Sequence, residues 1–386
     1  MSFTRRSLFV LIFGLLSLTG CQRTEQAASP ASAAGVQDHV AVGAILPLSG
    51  ENASFGTTAR AAFEIAEEDI RAQHRSLPSL VYGDSRLDKD QALKEFRRLV
   101  DQSRVVAFAE VTGSGVALAL KDVAARESVP MVSGVDTSPE LTLGGGPMFF
   151  RVIPSDAYSS QVLSQWVIGK GIKKAALVAN QQNDWAVGFK ASAINAFRQN
   201  GGELPDDAVV TVTNDTVDFS PAISRLKKQT PQAVFVALMG KQAGLFVKQA
   251  VDKGLKGPFL GVDNLAQQEF TETAGPARTR ALIVLPSDVK SEAGKKFAAR
   301  FRAKTGRDAD GIAYKAYDSY MAVENAIETV QRSGQTVTGA RVQQALKALK
   351  FDGLTGPIAF DQNNDLADAK YDRLTFDAAG KTVPAS

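Results

Sequence analysis

The sequence predicts an α/β fold made of two doubly wound parallel-sheet units. Short, continuously apolar strands alternate with amphipathic helical stretches, the pattern of a parallel sheet covered on both faces. The alternation runs once to about residue 155 and then starts again. The chain beyond residue 38 is long enough for two domains of ordinary size, and no shorter internal repeat is visible.

In the first unit His39–Leu46 reads as a strand, and Ala59, Ala62, Phe63, Ala66 and Ile70 then recur at helical spacing. Leu80–Tyr82 is a short strand. Asp88, with Gln91 three residues on, starts a helix carrying Ala92, Leu93, Phe96, Leu99 and Val100. The strand Val105–Ala109 leads into a helix through Val116, Leu120 and Val123, and Pro130–Ser133 and Met148–Ile153 are further strands.

In the second unit a helix with Val162, Leu163, Trp166 and Val167 precedes the strand Ala175–Ala179 and a helix through Ile194 and Phe197. Val209–Val212 is a strand, and Ser220-Pro221 predicts an N-cap with Pro at the first helical position. Ala233–Leu238 is a strand, followed by a helix closed at Gly254. Phe259–Val262 and Ala281–Leu285 complete this set. Three helices follow almost without strand: Ser291–Lys304 stopped by Gly306, Ile312–Arg332 stopped by Gly334, and Gly339–Leu349. The tail ends in the strands Pro357–Phe360 and Arg373–Phe376.

Composition excludes several classes. The 386 residues hold 44 Lys or Arg, 41 Asp or Glu and 44% hydrophobic residues, with a formal net charge of +3. Such a chain is not disordered, nor is it a polybasic nucleic-acid binder. One Cys and two His, His39 and His74, leave no disulfide framework and no clustered metal site. Gly113-x-Gly115 imitates a dinucleotide loop, but Leu118 stands where the third glycine is needed. There is no G-x-S-x-G for a serine hydrolase. The sequence therefore predicts neither an enzyme nor a cofactor or metal.

The N-terminus predicts export. Arg5 and Arg6 precede an apolar run, Leu8–Leu18, which suits a signal peptide and is too short to span a bilayer as a helix. Leu18-Thr19-Gly20-Cys21 follows and resembles the bacterial lipobox, so residues 1–20 are expected to be removed and Cys21 lipidated. Gln22–Asp38 has no apolar periodicity and reads as a flexible tether.

In open parallel sheets, ligands bind beyond the carboxyl ends of the strands. Those loops contain Phe55, Ser114 and Thr137 in the first unit, and Trp185, Met239 and Asp263 in the second. Ser114, opening a helix, suits an anion such as a carboxylate, and Asp263 suits a cation, so a cleft between them fits a zwitterion. Each also has a plain structural use. Ser114 and Thr137 are good helix N-caps, Asp263 can cap the helix holding Gln267–Phe270, Phe55 and Trp185 suit a core, and Met239 is ordinary core filling.

Four separate stretches occur in one order along the chain: VGAILPLSGENASFGTTARAAFEIAEEDI, VPMVSGVDTSPELT with FFRVIPSD, YKAYDSYMAVENAI, and FDGLTGPIAFDQNNDL. Through them the chain resembles the type I periplasmic substrate-binding proteins of ABC transporters, in their leucine/isoleucine/valine-binding branch. The resemblance implies two lobes joined by a three-strand hinge. Lobe 1 is then 39–155 plus 286–357, and lobe 2 is 156–285 plus 358–386, with ligand captured by hinge closure. It implies that Ser114 and Thr137 hold an α-carboxylate, while the Val135 carbonyl and Asp263 hold an α-ammonium. Phe55 and Trp185 stand where the family has aromatic residues, often Tyr, and Met239 where it has a further Tyr. Losing those hydroxyls alters the polar edge of the side-chain pocket.

The expected function is thus that of a monomeric, membrane-tethered lipoprotein on the periplasmic or cell-surface side. It would bind an amino acid, branched-chain or similarly apolar, for an ABC permease. Two alternatives remain: a regulatory or envelope-assembly lipoprotein that binds a protein with the same fold, and a receptor for another carboxylate or amide.

Overall fold

The computed structural model describes residues 40–50, 52–144, 146–287 and 291–385. The expected leader, Cys21, the tether and His39 lie outside the described residues. The first unit runs β1 (Ala41–Leu46), α1 (Ala53–Ala72), β2 (Ser79–Asp84), α2 (Lys89–Asp101), β3 (Val105–Val111), α3 (Ser114–Glu127), β4 (Met131–Ser133) and β5 (Phe149–Arg151). The second runs α4 (Asp156–Gly169), β6 (Ala175–Asn180), α5 (Asp184–Gln199), β7 (Val209–Val212), α6 (Ser220–Lys228), β8 (Ala233–Ala237), α7 (Gly240–Asp252), β9 (Phe259–Gly261), α8 (Gln268–Ala274) and β10 (Ala281–Pro286). Then come α9 (Glu292–Thr305), α10 (Gly311–Arg332), α11 (Gly339–Ala348), β11 (Lys350–Gly353), β12 (Gly356–Ala359), β13 (Tyr371–Phe376) and β14 (Thr382–Pro384).

The first sheet has the order β2-β1-β3-β4-β5, all parallel. The second repeats that order as β7-β6-β8-β9-β10 and extends it with the antiparallel strands β13 and β14. The strands are apolar along their whole length because both faces are covered. In β1, Val42, Ala44 and Leu46 enter the core under α1 and α10, while Ile45 faces the core under α2 and α3. In β8, Val234 and Val236 point to one core and Phe235 and Ala237 to the other. Fully burying one Phe such as Phe63 or Phe235 contributes about 1.5–3 kcal/mol. Both sheets belong to one continuous unit, Val36–Ser386.

Local signals set the helix ends. Asp88 caps α2 by accepting the Gln91 N–H at 2.7 Å, and Ser291 caps α9 by accepting the Gly294 N–H at 2.9 Å. Gly306 closes α9 in the left-handed conformation, with φ +74°. One expected cap differs. Ser220 lies inside α6 and the cap position is Phe219, because Asp218 takes both the Ser220 N–H and its hydroxyl at 2.9 and 2.5 Å.

The three late helices return to the first sheet. Arg300 of α9 pairs with Glu68 at 2.8 Å and with Asp69 of α1, and α10 packs along α1 and β3. They are followed by a hairpin the sequence reading missed in part, since Lys350–Gly353 also forms a strand. Asp318 of α10 fastens its turn by accepting the Leu354 and Thr355 N–H groups at 2.6 and 2.9 Å. Ile358 and Phe360 pack in the first unit's core, so the last crossing to the second sheet falls between Leu366 and Tyr371, later than the boundary expected at 357–358. The crossings lie side by side: the Arg151 N–H bonds the Asn364 carbonyl at 3.2 Å, and the Ser287 N–H bonds that of Lys370 at 2.8 Å. No helix of the described residues is long and apolar enough to cross a membrane.

Candidate binding cleft

The two equivalent sheets point the carboxyl ends of their strands at one another. The cleft between them encloses about 1840 Å³, larger than one small ligand requires, so a ligand would occupy part of it. Phe55, Ser114, Val135, Thr137, Trp185 and Asp263 all line it, as does Met239. Phe55 projects from the first turn of α1, Ser114 opens α3, and Val135 and Thr137 follow β4. Trp185 opens α5, and Asp263 begins a short 3-10 turn after β9. Asp263 does not cap α8, whose N-cap is Gln267.

The glycines of the dinucleotide-like loop have a different cause. Gly113 has φ +106° and donates its N–H to Asp136 Oδ1 at 2.7 Å, a turn in a conformation that L side chains rarely adopt. A Cβ on Gly115 would lie 2.3 Å from Asp184 Oδ2. The N-terminus of α3 therefore meets that of α5 directly across the cleft. Lys89 adds an ion pair to Asp184 at 2.7 Å across the same junction. The arrangement is a closed one.

Trp185 reaches over the cleft and donates its Nε1–H to Thr137 Oγ1 at 3.0 Å, stacked on Phe189 with centroids 5.2 Å apart. Thr137 in turn gives its hydroxyl proton to Asp156 Oδ2 at 2.9 Å. Asp156 is the first residue of α4 and sequence reasoning missed it. Its other oxygen, Oδ1, is buried without a hydrogen-bond partner. Burial, then the nearby Asp263 charge, pushes the Asp156 carboxyl up to about 8, against the Thr137 hydrogen bond. Burial also raises Asp263, opposed by the Lys315 charge. Ser114 Oγ accepts the Ser138 N–H at 3.4 Å. Beneath the loops, burial pushes Glu110 up to about 8 and Asp136 up to about 7. Glu110 accepts from Ser133, Gly134 and Ser319 at 2.7, 2.8 and 3.2 Å and so ties β3, β4 and α10 together.

Two more lining residues escaped the sequence reading. Lys315 sits on α10 behind Gly134, and Tyr371 of β13 presents a hydroxyl 2.6 Å from Ser159 Oγ. Lys315 had a visible signal: with Ser319 and Ala322 it falls on one helical face of YKAYDSYMAV, an unusual place for a lysine. Tyr371 had none, since only the late crossing brings it here. Among the described residues no group of three or more His, Cys, Asp or Glu is arranged to hold a metal ion.

Two like sheets facing across a cleft, joined by three crossings, define a two-lobed binding protein. A family model described as periplasmic binding protein matches residues 39–381, and the chain belongs to that family. The Leu/Ile/Val-binding protein homolog 3 of Brucella melitensis is 26% identical over 351 residues, which cover 89% of this chain and 93% of that one. A solved leucine binding protein from Thermotoga maritima superposes with a TM-score of 0.79 at 24% identity, over 90% of this chain and 98% of that one. A solute binding protein of an ABC transporter from R. palustris, in complex with benzoate, superposes at 0.76 with 21% identity over 90% and 95% of the chains. The protein is therefore a periplasmic binding protein with the type I fold, and the relatives named here are themselves binding proteins.

Proposed function

We propose that this protein captures a small carboxylate-bearing solute, an amino acid with an apolar side chain in the first instance, and delivers it to an ABC permease. The observation that carries this reading is that Asp263 from one lobe and Ser114, Val135 and Thr137 from the other line a single cleft together with Phe55 and Trp185. A zwitterion has an ammonium for the carboxylate wall and a carboxylate for the hydroxyl wall. Neither wall surrounds a ligand alone, so binding requires closure about the three crossings. The leader, the lipidation of Cys21 and the tether complete the proposal: the domain acts as a monomer hung from a membrane.

A second reading is a receptor for an aromatic carboxylate. It is favoured by the Trp185–Phe189 stack and by the benzoate that the R. palustris neighbour holds. A thermal-shift screen of the soluble domain against the twenty amino acids, benzoate and 4-hydroxybenzoate separates the two. A ligand at 100 times its Kd stabilises the fold by about 2.7 kcal/mol. A shift from apolar amino acids supports the first reading, and a shift from benzoates alone supports the second. A flat response across the panel would defeat the carboxylate reading altogether.

A further inference from the structure

We infer that Lys315 is the residue that holds the ligand's carboxylate in this cleft. The inference rests on the reading of the cleft as the solute site and deepens it.

Among the described residues only two cationic side chains are buried, Arg151 and Lys315. Arg151 is fully engaged: it pairs with Asp365 at 2.5 Å, donates to Thr142 Oγ1 at 2.6 Å, and donates to the carbonyls of Ser138 and Asp136 at 2.9 and 3.2 Å. Lys315 is 8% exposed, yet no hydrogen bond or ion pair from the described residues engages its ammonium. Its Nζ is not among the buried polar atoms left without a partner, so the stem is buried while the ammonium opens to solvent, with the Asp263 and Asp318 charges acting on it. The Lys315 side chain lines the cleft, so the ammonium is open to an anion that enters it.

The chemistry of that partner follows from the surroundings. Lys315 and Asp263 line the same cleft and act on each other electrostatically but make no direct ion pair, so both charges are available to a ligand. Of the two hydroxyls expected to hold a carboxylate, Thr137 has already given its only proton to Asp156 and accepts the Trp185 N–H, whereas Ser114 Oγ accepts the Ser138 N–H and keeps its own proton to donate. An entering carboxylate therefore finds the Lys315 ammonium and, on the hydroxyl wall, the Ser114 proton, with no free proton on Thr137. A zwitterion would place its carboxylate on Lys315 and its ammonium toward Asp263. A simple carboxylate would use Lys315 without Asp263.

Calorimetric titration tests this with matched acids and amides: L-leucine against L-leucinamide, and benzoate against benzamide. Wild-type protein is expected to favour the acid of at least one pair. Lys315→Met should weaken that acid by at least about 30-fold and erase the preference over the amide, while Lys315→Arg keeps most of it. The ligand-free melting temperature of Lys315→Met should not fall, because the ammonium opens into the cleft and makes no hydrogen bond or ion pair to the described residues. A structural lysine would lower it. Asp263→Asn distinguishes the ligand classes, since it should weaken leucine and spare benzoate. Full acid binding by Lys315→Met, or a wild-type protein that does not discriminate acid from amide, would overturn the assignment and leave the receptor reading standing. A wild-type protein that binds neither acid would overturn both.

Discussion

Trp185 and Thr137 belong to different lobes and are joined by one hydrogen bond of 3.0 Å, from the indole N–H to the hydroxyl oxygen. The bond forms only when the lobes are closed. It makes Trp185 a reporter of closure, since opening must expose an indole that is now 8% exposed. Trp166 is also buried but packs within the second lobe, in the core under α4 and α5. Ligand is expected to protect tryptophan emission from acrylamide, and Trp185→Phe should remove most of that protection. Equal protection in the variant would mean that Trp185 does not sense closure.

Asp263 should matter for binding far more than for folding. It begins a short turn and lines the cleft. Asp263→Ala removes the partner of a ligand ammonium, which costs roughly 2–5 kcal/mol of binding when that charge is left buried and unpaired. Calorimetry with L-leucine checks the loss, and urea unfolding checks that the fold is retained. A loss of fold stability as large as the loss of binding would make Asp263 structural.

Asp156 sets a pH dependence. Its carboxyl is pushed up to about 8 in the folded protein, whereas the unfolded chain releases the proton near 4. A raised folded value means that the native state holds the proton more tightly. The stabilising contribution is complete below about pH 4 and is lost as pH rises through about 8. Glu110 and Asp136 act in the same direction. Asp156→Asn should therefore be more stable than wild type at pH 8, by at least about 1 kcal/mol, and show little or no gain at pH 4. Urea unfolding at both values decides, and a gain of equal size at both would contradict the shift.

Arg151 anchors the last crossing. Its guanidinium ties the end of β5 to Asp365 and to the loop after β4. Arg151→Met breaks a buried pair and strands two carbonyl groups, with an expected loss of about 3–5 kcal/mol. Lys89→Ala breaks the half-exposed pair to Asp184 instead and should cost no more than about 1 kcal/mol. Similar losses in the two variants would mean that Arg151 is less central than its burial implies.

The fold was largely legible because its signals are local. Capping by Asp88 and Ser291, the stop at Gly306 and the unbroken apolar strands each follow from short-range physics. The loops that line the cleft were legible too, since the carboxyl ends of parallel strands must meet there. What escaped depends on distant parts of the chain. Lys315 reaches the cleft only because α10 returns to the first sheet, and Tyr371 only because the last crossing comes after Leu366. Asp156 was not singled out in the sequence, and its raised carboxyl arises from burial beside Asp263, more than 100 residues away in sequence. The Ser220 cap failed because the neighbouring Asp218 takes the Ser220 N–H and hydroxyl and draws Ser220 inside the helix.

The central claim is that ligand is held between two lobes that close on it. Small-angle X-ray scattering of the soluble domain, with and without the panel compound that gives the largest thermal shift, tests it most directly. The account predicts a smaller radius of gyration when ligand is bound, because the crossings let the lobes part in its absence. Tight binding with an unchanged radius of gyration would contradict the clamp and place the site within a single rigid lobe.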